Sequence, residues 1–211
     1  MNKVVSFCLW GNNKLYTHGA IANAELMSEI YPGWIMFLYY DYKTVPIDIV
    51  KKLESLNVRM IPMICNPDSI EAMFWRFRPA TLNNVEIMLS RDCDSRLDYR
   101  EKACVEEWLS SDKIFHSIRD HQFHNVPILG GMWGLKQCSG NIIKNYMLDN
   151  WPKKKNKGDD QLFLTNIIWP LVKDSCMGHD ERFDYPGNKP FPKHLPNKYS
   201  SFVGEIIKIK E

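Results

Sequence analysis

Val85-Glu-Ile-Met-Leu-Ser-Arg-Asp-Cys-Asp-Ser95 is the stretch that decides how this chain is read. Val85 to Leu89 is an apolar run of strand length. Two carboxylates one residue apart, Asp92 and Asp94, follow it almost at once. A buried strand that ends this way carries both acids to the mouth of a sheet. Hard divalent cations prefer oxygen donors, and Mg2+ or Mn2+ held by one or two carboxylates usually completes its shell with substrate phosphates. The stretch therefore points to a site for a metal-bound diphosphate. Alone, Asp-x-Asp is equally the pattern of a strand followed by a polar turn, so the neighbouring segments decide.

Upstream, Val4 to Leu9, Trp34 to Tyr40 and Val58 to Ile64 read as strands. Helices separate them, Ala20 to Ile30 on a 3–4 residue apolar spacing and Pro46 to about Leu56. The segment 69–82 is expected to be partly helical, interrupted by Pro79. Downstream, Asp98 and Glu101 have capping-box spacing before a helix that should end near Ser111. Ile114 to Ile118 and Val126 to Leu129 are short strand candidates, and Gly130 to Gly134 reads as a tight loop. Helices are expected around Ile142 to Leu148 and Asp160 to Ile168, followed by an irregular wrapping tail with Pro186, Pro190, Pro192 and Pro196. Strands alternating with helices imply a mostly parallel sheet in an α/β fold. Ligands of such sheets bind outside the carboxyl ends of the strands. Leu9-Trp10-Gly11, Asp41 and Asp92-Cys93-Asp94 all lie at such ends, so three polar loops converge on one edge.

At 211 residues the chain is long enough for one well-packed domain. Its 27 basic and 25 acidic residues nearly cancel, which gives no argument for nucleic acid or a membrane surface. The basic run Lys153 to Lys157 reads as a solvated loop. Six Cys without a C-x-x-C pair read as free thiols of a reducing compartment. No apolar run approaches the ~20 residues of a membrane span. A cytoplasmic protein is expected. The last residues, Ile206 to Glu211, carry no obvious end signal, so a further domain is conceivable.

The order of Trp75-Arg-Phe77, Arg91-Asp-Cys-Asp-Ser-Arg96, Glu107-Trp-Leu109, Phe115-His-Ser-Ile-Arg-Asp-His121, Gly130-Gly-Met-Trp-Gly134, Asp160-Gln161 and His179-Asp180 resembles the GT-A glycosyltransferases. It is most similar to the amino-terminal domain of a chlorella-virus enzyme that builds capsid glycans. The likeness runs from the first strand to Phe202-Val-Gly204. It implies a single GT-A domain over residues 1–211, with a nucleotide-binding half about 1–95, an acceptor half about 96–178 and a tail 179–211. It also implies transfer of a hexose or deoxyhexose, rhamnose-like, from a UDP-sugar to a glycan hydroxyl on a capsid glycoprotein in an infected cell. A more distant similarity, to retaining enzymes of the glycogenin and bacterial galactosyltransferase type, implies that His179 is a third metal ligand beside Asp92 and Asp94. It also implies that Lys189 meets the diphosphate, and it favours retention. Ten residues separate His179 from Lys189, a departure from that pattern. An imidazole ligand would favour Mn2+, with Mg2+ also compatible.

Leu9, Trp10 and Tyr16 are expected at the base and ribose, Asp41 at the base imide, and Cys93 beside the cofactor. Trp10 and Tyr16 are equally suited to a core. Arg76, between two aromatics, offers a rigid fork to phosphate or carboxylate. Asp160 and Gln161 are the candidates for steadying an oxocarbenium-like centre, with Asp159 in reserve. If the reaction inverts, Asp159, Asp160 or Asp120 must serve as general base. His116, Arg119, Asp120, His121 and His124 form a dense ionisable cluster. Its functional reading puts Asp120 and His121 at the sugar or acceptor, the alternative is a buried network of His and Asp, and zinc on His121 and His124 is disfavoured for want of neighbouring Cys. Two alternatives stand: a nucleotidyltransferase, against which the single Gly of Leu9-Trp-Gly-Asn-Asn13 argues, and a sugar-nucleotide- or glycan-binding module without turnover.

Overall fold

A computed structural model describes residues 1–65, 71–137, 144–145, 147, 156–192 and 198–208. Strands β1 (Asn2–Leu9), β2 (Ile35–Asp41), β3 (Arg59–Met63) and β4 (Val85–Ser90) run parallel. They are joined by β5 (Phe115–Arg119), β6 (Trp133–Lys136), β7 (Cys176–Asp180) and the short β8 (Asn188–Lys189) in one eight-stranded sheet. Its order is β3-β2-β1-β4-β6-β5-β7-β8, and β6 alone runs antiparallel to its neighbours β4 and β5. The expected mostly parallel α/β sheet is what forms.

Alternation along β1 shows why these strands are apolar throughout. Val5, Phe7 and Leu9 face helices α1 (Lys14–Ile30), α2 (Ile47–Ser55) and α4 (Tyr99–Leu109), while Val4 and Cys8 face the opposite layer with Phe74, Phe77 and Phe163. A strand covered on both faces buries every side chain, so the period of two disappears from its hydropathy. The opposite layer holds the short α3 (Ala72–Trp75), a 3-10 turn (Arg78–Thr81) around Pro79, and α5 (Asp159–Phe163). α5 continues through a π turn, Leu164–Ile168.

Several local expectations are corrected. α1 begins six residues early, because Asn13 caps it by accepting from the Leu15 N–H at 2.9 Å. Its buried face includes Thr17 and Asn23, which hid the apolar spacing. Val126 to Leu129 forms no strand: Pro127 has no N–H to give a ladder, and its carbonyl accepts instead from Ser117 and Arg119. The strand lies further on, where Trp133-Gly134 opens β6 inside the expected loop. Asp98 caps α4, but Glu101 does not reach back to it and instead accepts from Tyr31 and Arg91, 2.7 Å each. The expected tail starts inside the sheet, since His179 and Asp180 end β7. The expected helix at Ile142 to Leu148 falls largely outside the described residues. No helix among those described is long and apolar enough to cross a membrane. Cys8, Cys93, Cys104 and Cys176 are free thiols.

Candidate functional site

At the carboxyl ends of β1 and β4 lies a cleft of about 710 Å3. One side is built from Cys8 to Asn13 with Tyr16, and the floor from Arg76, Asp92, Cys93 and Asp94. The facing side is His124, Leu129 to Met132, Lys157, Gly158, Asp160, Gln161 and Gly204. The floor is held from behind. Gly19 of α1 lies against the motif loop so closely that a Cβ there would sit 1.9 Å from the Cys93 carbonyl oxygen. Asn23 donates to the Ser95 carbonyl at 2.9 Å and accepts from the Leu97 N–H at 3.0 Å.

Arg76 is the centre of the floor. One end of its buried guanidinium binds Asp92 Oδ1, and the other binds Asp160 Oδ2 at 2.9 Å. It lies beside the Phe77 ring, 5.4 Å from the centroid, as the aromatic flank suggested. Gly130 and Gly131 pass directly over this arrangement. A Cβ on Gly131 would meet Asp92 Oδ2 at 1.9 Å, and one on Gly130 would meet Arg76 Nη2 at 2.4 Å. No larger residue fits here without moving the charged groups. Asp160 Oδ1 and Arg76 Nε are buried with no hydrogen-bond partner.

Electrostatically the cleft is short of positive charge: among the described lining residues three carboxylates, Asp92, Asp94 and Asp160, are set against Arg76 and Lys157. Burial and then the nearby Asp92 push the Asp94 carboxyl up to about 6. Burial also raises Asp160, against the pull of Arg76. Burial opposes the charge on Arg76, but Asp92 and Asp160 more than offset it and keep the guanidinium protonated. Burial raises the Tyr16 hydroxyl, with Asp94 adding to the effect.

Of the residues expected at the site, Leu9, Trp10, Tyr16, Arg76, Asp92, Cys93, Asp94, Asp160 and Gln161 line the cleft. Trp10 and Tyr16 keep 37% and 40% of their surface exposed, so neither belongs to the core. The Gln161 amide donates to the Ile128 carbonyl. Five others are elsewhere. Asp41 is buried and accepts from Thr44 Oγ1 at 2.6 Å; Thr44 in turn accepts from the Gly11 N–H at 2.8 Å, so Asp41 braces the cleft loop from behind. Asp120 is bound by Arg100 and by the Val203 N–H. Asp159 accepts from the Asn156 N–H. His179 is wholly buried within β7, its two ring nitrogens engaged by His116 at 2.8 Å and Glu107 at 3.1 Å. Lys189 pairs with Glu107 at 2.9 Å. The resemblance put His179 on the metal and Lys189 at the diphosphate, but both are committed to Glu107 away from the cleft. Arg91 also turns away, to Glu101 and the Ser90 and Trp133 carbonyls. Met73, His124, Lys157, Gly158 and Gly204 were not expected at the cleft. The one available signal was the Lys153 to Lys157 run ending at Gly158.

The donor set suits a hard cation only in part. Asp92 and Asp94 supply oxygen ligands, but among the described residues no three His, Cys, Asp or Glu side chains are grouped to hold a metal. A cation would therefore need oxygens from a ligand, as Mg2+ and Mn2+ bound to nucleoside diphosphates do. Without His179 the case for Mn2+ over Mg2+ lapses.

No protein-family model matches this chain, and no curated protein matches it. Solved structures do. A glycosyltransferase involved in glycosylating the major capsid of PBCV-1 superposes with a TM-score of 0.55 and 14% identity, over 85% of this chain and 82% of that one. A 4-diphosphocytidyl-2C-methyl-D-erythritol synthase from Anaerococcus prevotii gives 0.54 and 10%, over 86% and 90%. An active-site mutant of LgtC gives 0.48 and 11%, over 86% and 74%. At these identities the likeness is one of fold, and it does not single out the capsid enzyme. The chain has the GT-A-type α/β fold, with one mostly parallel sheet flanked by helices.

Proposed function

We propose that this protein is a divalent-metal-dependent glycosyltransferase that moves a sugar from a nucleoside diphosphate, UDP by preference, to a glycan hydroxyl. The observation that carries this reading is the floor of the cleft, where Asp92 and Asp94 stand at the end of β4 beside an Arg76 that already bridges Asp92 and Asp160. Three carboxylates against Arg76 and Lys157 leave negative charge that a cation would neutralise, and a cation there attracts diphosphate oxygens. Such an ion would supply neutralisation of the charge that grows on the leaving nucleoside diphosphate.

Asp92 and Asp94 would hold that ion. Exposed Trp10 and Tyr16 offer ring faces to a base. Lys157, on the facing side, is the remaining lysine or arginine among the described residues of the lining and suits the phosphates. Asp160, fixed by Arg76 and with Oδ1 unpartnered, would steady an oxocarbenium-like centre with its negative charge. Retention is the outcome we favour. Inversion needs a general base, and Asp120 and Asp159 lie outside the cleft while Asp160 is tied to Arg76. The capsid glycan acceptor and a rhamnose-like donor rest on the sequence resemblance.

Calorimetric titration with UDP, GDP and CMP, with and without Mn2+ or Mg2+, tests the proposal. UDP should bind only with metal, and Asp94→Ala should abolish that binding. Indifference to all three nucleotides in the presence of metal would remove the donor site. The synthase likeness keeps a nucleotidyltransferase as the second reading; metal-dependent binding of CTP with none of UDP would favour it.

A further inference from the structure

One stretch of the facing side is chemically unlike the floor, although Lys157, Asp160 and Gln161 lie on the same side. His124, Leu129, Met132 and Gly204 form a part of the lining with no carboxylate, lysine or arginine, and His124 is its one polar side chain. That imidazole is fixed. The Asp120 backbone N–H donates to His124 Nδ1 at 3.1 Å. A backbone N–H can only donate, so Nδ1 is the acceptor and the neutral ring carries its proton on Nε2. Nε2 makes no hydrogen bond among the described residues. Burial pushes the ring down to about 4, so near pH 7 it is a neutral donor, neither a base at Nε2 nor a cation.

Around it is an aromatic group. Phe202 stacks on His121 at 4.2 Å and 24°, and meets His124 edge-on at 5.5 Å. Phe123, one residue from His124 and 5.1 Å from His121, is 81% exposed. Asp120 ties the assembly together, since its carboxylate takes Arg100 at 3.2 Å and the Val203 N–H at 2.9 Å while its own N–H sets His124. Asp120, expected among the catalytic groups, is therefore a positioning residue.

A fixed neutral donor beside aromatic faces suits a ligand with hydroxyl edges and apolar C–H faces. An anionic ligand would call for lysine or arginine, and these four residues supply none, Lys157 being the one lysine among the described lining residues. We propose that His124, with His121, Phe123 and Phe202, forms the acceptor subsite, where the His124 Nε2–H donates to a hydroxyl of a neutral carbohydrate. The proposal rests on the glycosyltransferase reading and names the place at which its acceptor docks.

Saturation-transfer NMR with a set of neutral methyl glycosides (glucoside, galactoside, mannoside, xyloside, rhamnoside), in the presence of UDP and Mn2+, tests it. At least one glycoside should bind the wild-type protein. Phe123→Ala and His124→Ala should each weaken that binding at least fivefold, while calorimetric UDP–Mn2+ affinity stays within twofold. Phe123 is so exposed that its variant folds as the parent does, and the retained UDP affinity checks the fold of the His124 variant. No binding of any glycoside, or binding indifferent to both variants, overturns the subsite. So does a His124 variant that loses UDP–Mn2+ affinity by the same factor. Glycoside binding that depends on His124 in a protein that ignores UDP and Mn2+ would leave the subsite standing and overturn the transferase reading.

Discussion

Asp94→Asn should make this protein more stable at neutral pH. The Asp94 carboxyl titrates at about 6 in the folded chain, against an ordinary value of 3.8. Between those values the folded chain keeps a proton that the unfolded chain has released. Stability therefore falls as pH rises through the window, and the loss persists above it. About two units correspond to roughly 3 kcal/mol at 1.36 kcal/mol per unit. Asp94 is only partly buried, so solvent screening brings this to about 2 kcal/mol. For a chain of this size that is a rise in Tm of about 4–8 °C. Thermal unfolding followed by circular dichroism at pH 7.5 and pH 4 measures it. The gain should be present at pH 7.5 and shrink toward zero at pH 4, where wild-type Asp94 is itself neutral when folded. The same substitution should remove any Tm increase caused by Mn2+. A variant no more stable than wild type at pH 7.5, or equally stabilised at both pH values, would refute the claim that a desolvated charge is held at this position.

Gly131→Ala forces a Cβ onto Asp92 Oδ2, which should cost about 1–3 kcal/mol by overpacking and weaken metal-dependent UDP binding at least tenfold; denaturant melts and calorimetry report the two effects. Arg76→Ala leaves Asp160 buried without its cation, and a loss of about 3–5 kcal/mol is expected in urea unfolding; a loss below 1 kcal/mol would mean that the carboxylate protonates or hydrates freely. His116 and His179 are both held below the ordinary histidine range, first by burial. The unfolded chain takes up their protons more readily, so stability should fall as pH drops below about 6.5, and Asp94→Asn is the background in which to measure it because Asp94 acts in the opposite direction. In that background a Tm unchanged between pH 7 and pH 5 would contradict the neutral buried pair.

The nucleotide half was legible because its signals are local. β1, β2, β3 and β4 all lie within two residues of their expected bounds, since each is an apolar run closed by a polar or turn residue. Nine of the expected site residues share the cleft because they sit at the carboxyl ends of those strands or in the elements packed against them. What stayed hidden depends on contacts remote in sequence. β6 was obscured by Gly130, Gly131 and Gly134, which read as loop residues; at 130 and 131 it is the charged floor that excludes a side chain. His179 has the right place in the motif order, yet nothing local shows that it pairs with His116, 63 residues earlier. Asp120 is turned into a brace by Arg100 and by Val203, 83 residues later, while Asp159 is taken locally by the Asn156 N–H.

The segment 198–208 is sewn to the motif half of the chain by backbone N–H groups: Lys198 and Tyr199 to Asp98, Val203 to Asp120, and Ile207 to the Asp94 carbonyl at 2.8 Å. In the order of synthesis this makes the cleft a late event. The strand that presents Asp92 and Asp94 can pair with β1 as soon as both have left the ribosome. The loop carrying the acids, however, waits for a partner 113 residues further on. At about 5–20 residues per second that wait is on the order of 5–20 s. A nascent chain would pass that time with its sheet half-built and its Asp92-Cys93-Asp94 loop unclasped, which makes the segment 198–208 a gate on when the cleft first becomes competent to bind.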